Sequence, residues 1–126
     1  MPEGKKKKLL IVEDDKMIGS MYRTKLEQEG YIVLQAEDGA QGLEMGIREK
    51  PDLIMLDVIM PQLDGFSVLQ ELRTNPSTKH TPIVMLTNLG TDEDKAKGEK
   101  FGATDYIVKA NLTPSQVSEL IKKYIK

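Results

Sequence analysis

Apolar residues in this chain come in short runs: Leu9-Leu10-Ile11-Val12, Tyr31-Ile32-Val33-Leu34, Leu53-Ile54-Met55-Leu56 and Ile83-Val84-Met85-Leu86, with Tyr106-Ile107-Val108 closing the stretch from Thr104 to Val108. The run Leu53 to Leu56 suggests a strand buried on both faces, as in a parallel sheet, Ile83 to Leu86 a further buried strand, and the others read as strands. The first strand reads from Lys8 to Val12, the third runs up to Asp57, the fourth ends at Thr87 and the fifth at Lys109. Between the runs the apolar spacing becomes helical. Lys16 to Glu29 carries Ile18, Met21, Tyr22 and Leu26 on one face, and Gly30 stops it. Asp38-Gly39 turns the chain into a second helix with Ala40, Leu43 and Ile47 inward, and Pro51 ends it. Phe66, Leu69 and Leu72 mark a third helix, and Asn75 to Pro82 reads as a polar loop.

The segment Thr91 to Lys100 is nearly all polar, with Ala96 and Phe101 as its anchors and Gly102 as its stop. Its thin apolar stripe predicts a weakly docked, mobile helix. The last helix presents Val117, Leu120, Ile121 and Tyr124 inward, with Thr113 as N-cap and Pro114 at the first helical position. Five β–α units with short connections predict one domain over 1–126, α/β in class. It is a doubly wound five-stranded parallel sheet with helices on both faces.

Composition narrows the chemistry. The chain has 126 residues, no cysteine and one histidine, His80. Disulfides, iron–sulfur clusters, a conventional zinc site and a Cys–His nucleophile are excluded. His80 reads as a surface loop residue. The formal net charge is −2, and without Lys5 to Lys8 the remaining 14 basic residues face 20 acidic ones. An acidic body disfavours direct nucleic-acid binding, and the lysine run reads as a solvated approach to the first strand. No apolar run nears the ~20 residues of a membrane span, and the start lacks a signal-peptide core. The expectation is a cytoplasmic protein without membrane contact. The methionines read mostly as packing residues.

Glu13, Asp14, Asp57, Thr87 and Lys109 each fall at or just past the carboxyl end of a predicted strand. Parallel strands bring these ends to one sheet edge, where open α/β sheets bind ligands. Crowded carboxylates repel one another, and a hard divalent cation relieves that repulsion. Mg2+ suits such a site, because it prefers oxygen ligands and commonly uses only one or two carboxylates. Lys109 can pair with Asp57 or with a phosphoryl oxygen, and the Thr87 hydroxyl can donate to the same oxygen. Carboxylate, cation, lysine and hydroxyl are the parts that phosphoryl transfer needs, with Asp57 as nucleophile. Asp15 reads as a helix cap rather than a metal ligand.

On these residues the chain resembles the receiver domain of bacterial two-component response regulators, the CheY-like family. The resemblance rests on Ile11-Val12-Glu13-Asp14, Ala36-Glu37-Asp38-Gly39, Leu56-Asp57 through Met60-Pro61 to Asp64-Gly65, Pro82 to Thr87, and Gly102 to Lys109. It implies the flavodoxin-like strand order 2-1-3-4-5. It implies Asp57 as the acceptor of a phosphoryl group from a sensor histidine kinase or a histidine phosphotransfer protein. Asp14 would bind Mg2+ directly, Glu13 mainly through water, and Ile59 through its backbone carbonyl. Thr87 and Lys109 would contact the phosphoryl group, and Thr87 and Tyr106 would be the switch residues. The face made by helix four, strand five and helix five would then bind an output protein, as a monomer or a weak phosphorylation-dependent dimer.

The implied protein is a signalling switch rather than a metabolic enzyme. No output domain is expected within these 126 residues, so the expected forms are a stand-alone regulator, a phosphorelay intermediate, a phosphate sink or a fragment of a longer protein. Two positions stand out against the family pattern. Ala110 follows Lys109 where proline across a cis bond is usual, and a cis Lys109-Ala110 bond is expected so that Lys109 reaches Asp57. Ile59 and Leu89 are apolar where the family controls hydrolytic water, so slow self-dephosphorylation is expected. The competing readings are an aspartyl-phosphate phosphohydrolase of the haloacid dehalogenase type and a pseudo-receiver that only binds partners. The first would need a second acid at the position of Ile59.

Overall fold

A computed structural model of the protein describes residues 6–125. Strands β1 (Lys8–Val12), β2 (Ile32–Ala36), β3 (Leu53–Leu56), β4 (Ile83–Thr87) and β5 (Asp105–Val108) alternate with helices α1 (Lys16–Gln28), α2 (Gly39–Glu49), α3 (Gly65–Thr74), α4 (Asp92–Lys100) and α5 (Pro114–Ile121). The sheet is parallel throughout, in the order β2-β1-β3-β4-β5. Such pairings need helical crossovers, and these cover both faces. On one face Leu10, Ile54, Leu56 and Met85 pack with Phe66, Leu69 and Leu72 of α3. On the other, Leu9, Ile11, Met55 and Val84 pack with Tyr22 and Leu26 of α1 and Val117 and Ile121 of α5. The central strands β3 and β4 are buried at every position, as their unbroken apolar runs require.

The helix starts follow local chemistry. Asp15, Asp38 and Asp64 cap α1, α2 and α3 by accepting from backbone N–H groups of the first turn. Thr91 with Asp94 and Thr113 with Gln116 form reciprocal capping boxes at α4 and α5. Asp15 is therefore a cap, as expected. Helix α4 buries only Gly98. Its remaining ties are an acidic first turn, a basic last turn, and Lys97 Nζ 4.8 Å from the centre of the Phe66 ring.

Several inward positions differ from expectation. Met21 and Ala40 are exposed, and so is Ala96. The buried positions of these helices include Gly19 in α1, Gly42 and Gly46 in α2, and Gly98 in α4. An added Cβ at Gly42 would lie 2.6 Å from a Val12 methyl, and at Gly98 2.9 Å from the Tyr106 ring. The helices approach their neighbours too closely there for side chains. Apolar residues on the flanks of the stripe therefore rotate outward. Met55, Met60 and Met85 are core residues, whereas Met17 is 84% exposed; Met1 and Lys5 lie outside the described residues.

The loop Asn75 to Pro82 is polar yet ordered by one side chain. Arg73 donates to the carbonyls of Thr78, Lys79, Thr81 and Gly102 and to Thr104 Oγ1. The Thr78 hydroxyl, buried, donates to Leu72 O at 2.6 Å. His80 sits exposed in this loop.

Candidate functional site

The sheet ladder itself delivers the acids. Asp57 N–H donates to Val12 O at 3.1 Å and Glu13 N–H to Ala36 O at 3.0 Å, so both residues occupy the last rung of the sheet. Their side chains emerge at the carboxyl edge, and Asp57 and Glu13 are both buried. One carboxylate oxygen from each of Glu13, Asp14 and Asp57 lies within 4.8 Å of the others. Asp14 is the exposed member of the three.

Lys109 reaches this cluster from the end of β5. Its ammonium donates to Asp57 Oδ2 at 2.8 Å and to Glu13 Oε1. All peptide bonds among the described residues are trans, Lys109-Ala110 included, so the expected cis bond is not present. A single 3-10 turn over Lys109–Asn111 follows β5 directly. Lys109 thus meets the acids without a cis non-proline bond, which costs roughly 3–4 kcal/mol.

The remaining positions surround this centre. Ile59 N–H donates to Asp57 Oδ1 at 3.3 Å, and the Ile59 side chain points to solvent. Asp15 N–H donates to Glu13 Oε2 at 3.1 Å. Thr87 is fully buried at the end of β4, and its hydroxyl accepts from Leu89 N–H at 3.4 Å. The Tyr106 hydroxyl donates to Leu89 O at 2.6 Å. Leu89 thus links the buried threonine to the tyrosine through its own backbone.

Charge at the edge is unbalanced, with three carboxylates against one ammonium. Burial pushes the Glu13 carboxyl up to about 7, aided by the charge of Asp57, while the hydrogen bond from Lys109 opposes the rise. Burial pulls the Lys109 ammonium down, but its hydrogen bonds to Asp57 and Glu13 outweigh this and raise it. Burial, with the charges of Asp94 and Asp57, raises the Tyr106 phenol to about 12.

A carboxyl whose folded pKa lies above its unfolded value stabilises the fold fully below the unfolded pKa. That contribution is lost as pH rises through the folded value. Glu13 is such a group, so the metal-free edge becomes less stable as pH rises from about 4.5 to about 7. A cation replaces the proton as the source of relief. Mg2+ is therefore expected to raise the melting temperature much more at pH 7.5 than at pH 5.5, read by thermal melts with Mg2+ or with a chelator. An equal shift at both pH values would remove Glu13 from the binding edge.

The donor set fits the cation. Three carboxylates supply hard oxygen ligands, and Mg2+ needs only one or two of them alongside water.

A parallel doubly wound domain with acids, a lysine and a buried threonine converging at its carboxyl edge has the organisation of a signalling receiver. The chain belongs to the response regulator receiver domain family of two-component systems, whose family model matches residues 9–123. It is 41% identical over 116 residues to the DNA-binding dual master transcriptional regulator RpaA of Synechocystis, covering 92% of this chain and 46% of that protein. It is 39% identical to the alkaline phosphatase synthesis transcriptional regulatory protein PhoP of Bacillus subtilis, over 95% of this chain and 49% of the relative. The chain spans about half the length of these curated relatives. Among solved structures, chemotaxis protein CheY4 of Vibrio cholerae matches with a TM-score of 0.89 at 32% identity, covering 95% of this chain and 99% of that one. The receiver domain of sensor histidine kinase PA1611 from Pseudomonas aeruginosa, solved with magnesium coordinated in its active site cleft, matches with a TM-score of 0.87 at 26% identity. That match covers 96% of this chain and 98% of the other.

The sequence pointed to every polar residue that meets at this edge. It did not show that Lys109 bridges Glu13 as well as Asp57, because that contact joins residues 96 positions apart. It also did not place Tyr22, read only as a packing residue, on a cavity shared with Glu13 and Asp57. No sequence signal marks that contact, which arises from how α1 lies on the sheet.

Proposed function

We propose that this chain, as a single receiver domain, takes a phosphoryl group onto Asp57 from a sensor histidine kinase or a histidine phosphotransfer protein. The observation that carries the reading is the Lys109 ammonium held between buried Asp57 and Glu13 at an acidic edge that suits Mg2+. An oxygen of Asp57 forms a bond to phosphorus as the donor's P–N bond breaks, and the electron pair leaves with the imidazole nitrogen. Asp14, Asp57 and the Ile59 carbonyl, with Glu13 mainly through water, would hold Mg2+, which would supply charge neutralisation for the transferring group. Lys109 is positioned to shift its hydrogen bond from Asp57 to a phosphoryl oxygen. Met17, Met21 and Ile59 are 84%, 45% and 55% exposed, apolar surface that a phosphodonor could cover.

Output follows from the Thr87–Leu89–Tyr106 chain of hydrogen bonds. If the Thr87 hydroxyl turns to a phosphoryl oxygen, Leu89 N–H loses its acceptor and the loop that holds Tyr106 moves. Helix α4, with Gly98 alone buried, is the element least able to resist. The α4–β5–α5 face changes and binds an output protein, as a monomer or a phosphorylation-dependent dimer. The domain itself is a phosphoacceptor without direct nucleic-acid or membrane contact. Among the described residues no helix is long and apolar enough to cross a membrane. Apolar Ile59 and Leu89 offer no polar group to orient a hydrolytic water, which favours a long-lived phosphoprotein.

Intact mass after incubation with acetyl phosphate and Mg2+ tests the reading. One added phosphoryl group that requires Mg2+ and then decays slowly is expected. Catalytic turnover of a simple phosphate ester would instead support the hydrolase. No mass gain and no Mg2+ binding would leave a pseudo-receiver.

A further inference from the structure

Helix α4 is held unequally at its two ends. At its start, Thr91 and Asp94 form a capping box, a tie internal to the helix. Among the described residues, the hydrogen bonds that join this start to the rest of the domain run through Leu89, whose N–H reaches Thr87 Oγ1 at 3.4 Å and whose carbonyl accepts from the Tyr106 hydroxyl. At its end the helix runs into a network closed by one side chain. Arg73, in the last turn of α3, donates through Nε to Gly102 O at 2.8 Å, through Nη2 to Thr104 Oγ1 at 3.3 Å and through Nη1 to Thr81 O at 2.7 Å. Thr104 Oγ1 also accepts from Ile83 N–H at 2.9 Å, and Thr104 N–H donates to Ile83 O at 2.7 Å. The α4–β5 turn is thereby fastened to the first residue of buried strand β4. Phe101 meets the Phe66 ring of α3 edge-on, centres 6.3 Å apart, and Lys97 lies over the same ring. Burial pulls the Arg73 guanidinium below its ordinary value, and no charged group offsets this. Its acceptors are neutral oxygens, spanned together by the planar fork of arginine, which the compact ammonium of lysine does not reproduce.

We propose that Arg73 is a positioning residue of the output switch: it clamps the carboxyl end of α4 to β4 and makes Phe101-Gly102 the fixed pivot about which the amino end of α4 swings. The inference rests on the phosphoacceptor reading of Asp57, which supplies the trigger at Thr87. The Thr87 hydroxyl leads through Leu89 to the loosely held end of the helix, not to the clamped one. A displacement at Leu89 is then taken up by hinge motion, with residues 101–104 in place. Without the clamp α4 shifts as a whole.

Amide hydrogen exchange is followed by mass spectrometry on wild type, Arg73→Gln and Arg73→Lys, with thermal melts on each. Beryllofluoride with Mg2+ is the probe, as a mimic of a phosphoryl group on Asp57. The N–H groups of Phe101, Gly102, Ala103 and Thr104 are all hydrogen-bonded, so their exchange reports opening of the pivot. In wild type, beryllofluoride changes exchange over residues 89–95 and leaves 101–104 unaltered. In Arg73→Gln, exchange over 101–104 speeds about 10-fold, as for loss of one hydrogen bond to a charged group, and beryllofluoride now alters exchange along the whole of α4. Arg73→Lys, which keeps the charge without the fork, shows the same spread and serves alone if Arg73→Gln does not fold. A merely structural role would lower the melting temperature and leave the beryllofluoride response confined to 89–95 in both variants, which overturns the proposal. An equal response at both ends of α4 in wild type overturns it as well. A wild type in which beryllofluoride changes nothing and acetyl phosphate adds no mass overturns the phosphoacceptor reading itself, a result distinct from either.

Discussion

Asp57→Asn is expected to leave the protein folded and wholly unable to gain a phosphoryl group from acetyl phosphate and Mg2+. The nucleophile must carry an electron pair on an anionic oxygen, and a carboxamide has none at neutral pH. The fold should tolerate the change for an electrostatic reason. Asp57 raises the Glu13 carboxyl by its charge, so its removal relieves repulsion at the edge. Lys109 keeps Glu13 as a partner and is not left as an isolated buried charge. The metal-free variant should therefore melt at or above the wild-type temperature, while Mg2+ binds more weakly for want of a carboxylate. Intact mass and thermal melts read the two effects separately. A phosphoryl group on the variant would place the acceptor elsewhere and end the case for Asp57.

Gly65→Ala is expected to be among the most damaging single-methyl additions in the domain. An ideal Cβ at Gly65 would lie 2.0 Å from the Asp57 carbonyl oxygen and 2.8 Å from Val58 Cα. Both neighbours are backbone, so no side-chain rotation relieves the overlap. Gly65 N–H also donates to Val58 O at 2.9 Å, which ties the start of α3 to the end of β3. Either the helix start or the strand end must shift, and overpacking of this kind costs about 3 kcal/mol. For a domain of this size that is a fall in Tm of roughly 10 °C. Because the displaced atoms belong to Asp57, phosphorylation should slow as well. Gly30→Ala is the informative comparison. Gly30 has φ +98 but nothing within 4 Å of its Cβ position, so backbone strain alone is felt, about 1 kcal/mol. Equal melting temperatures for the two variants would show that the β3–α3 junction is looser than these distances require.

Much of this protein is determined locally and can be read from the chain. The apolar runs of β3 and β4 make fully buried strands, whereas Tyr31 to Leu34 leads into a partly exposed edge strand, and Asp15, Asp38, Asp64, Thr91 and Thr113 fix the helix starts through hydrogen bonds within one turn. The placement of Glu13, Asp57, Thr87 and Lys109 at strand ends follows from strand length alone, and parallel order then gathers them. What lay outside the sequence depended on how closely the elements approach. Helical periodicity sent Met21, Ala40 and Ala96 inward, but α1, α2 and α4 come so near their neighbours that glycines occupy buried positions. Arg73 was not singled out in the sequence; its five hydrogen bonds tie the loop to the α4–β5 turn. The trans Lys109-Ala110 bond, the bridge from Lys109 to Glu13 and the position of Tyr22 likewise come from packing. The physical reason is range: capping and burial of a short strand act over a few residues, whereas these contacts join groups whose distance is set only once the layers have closed.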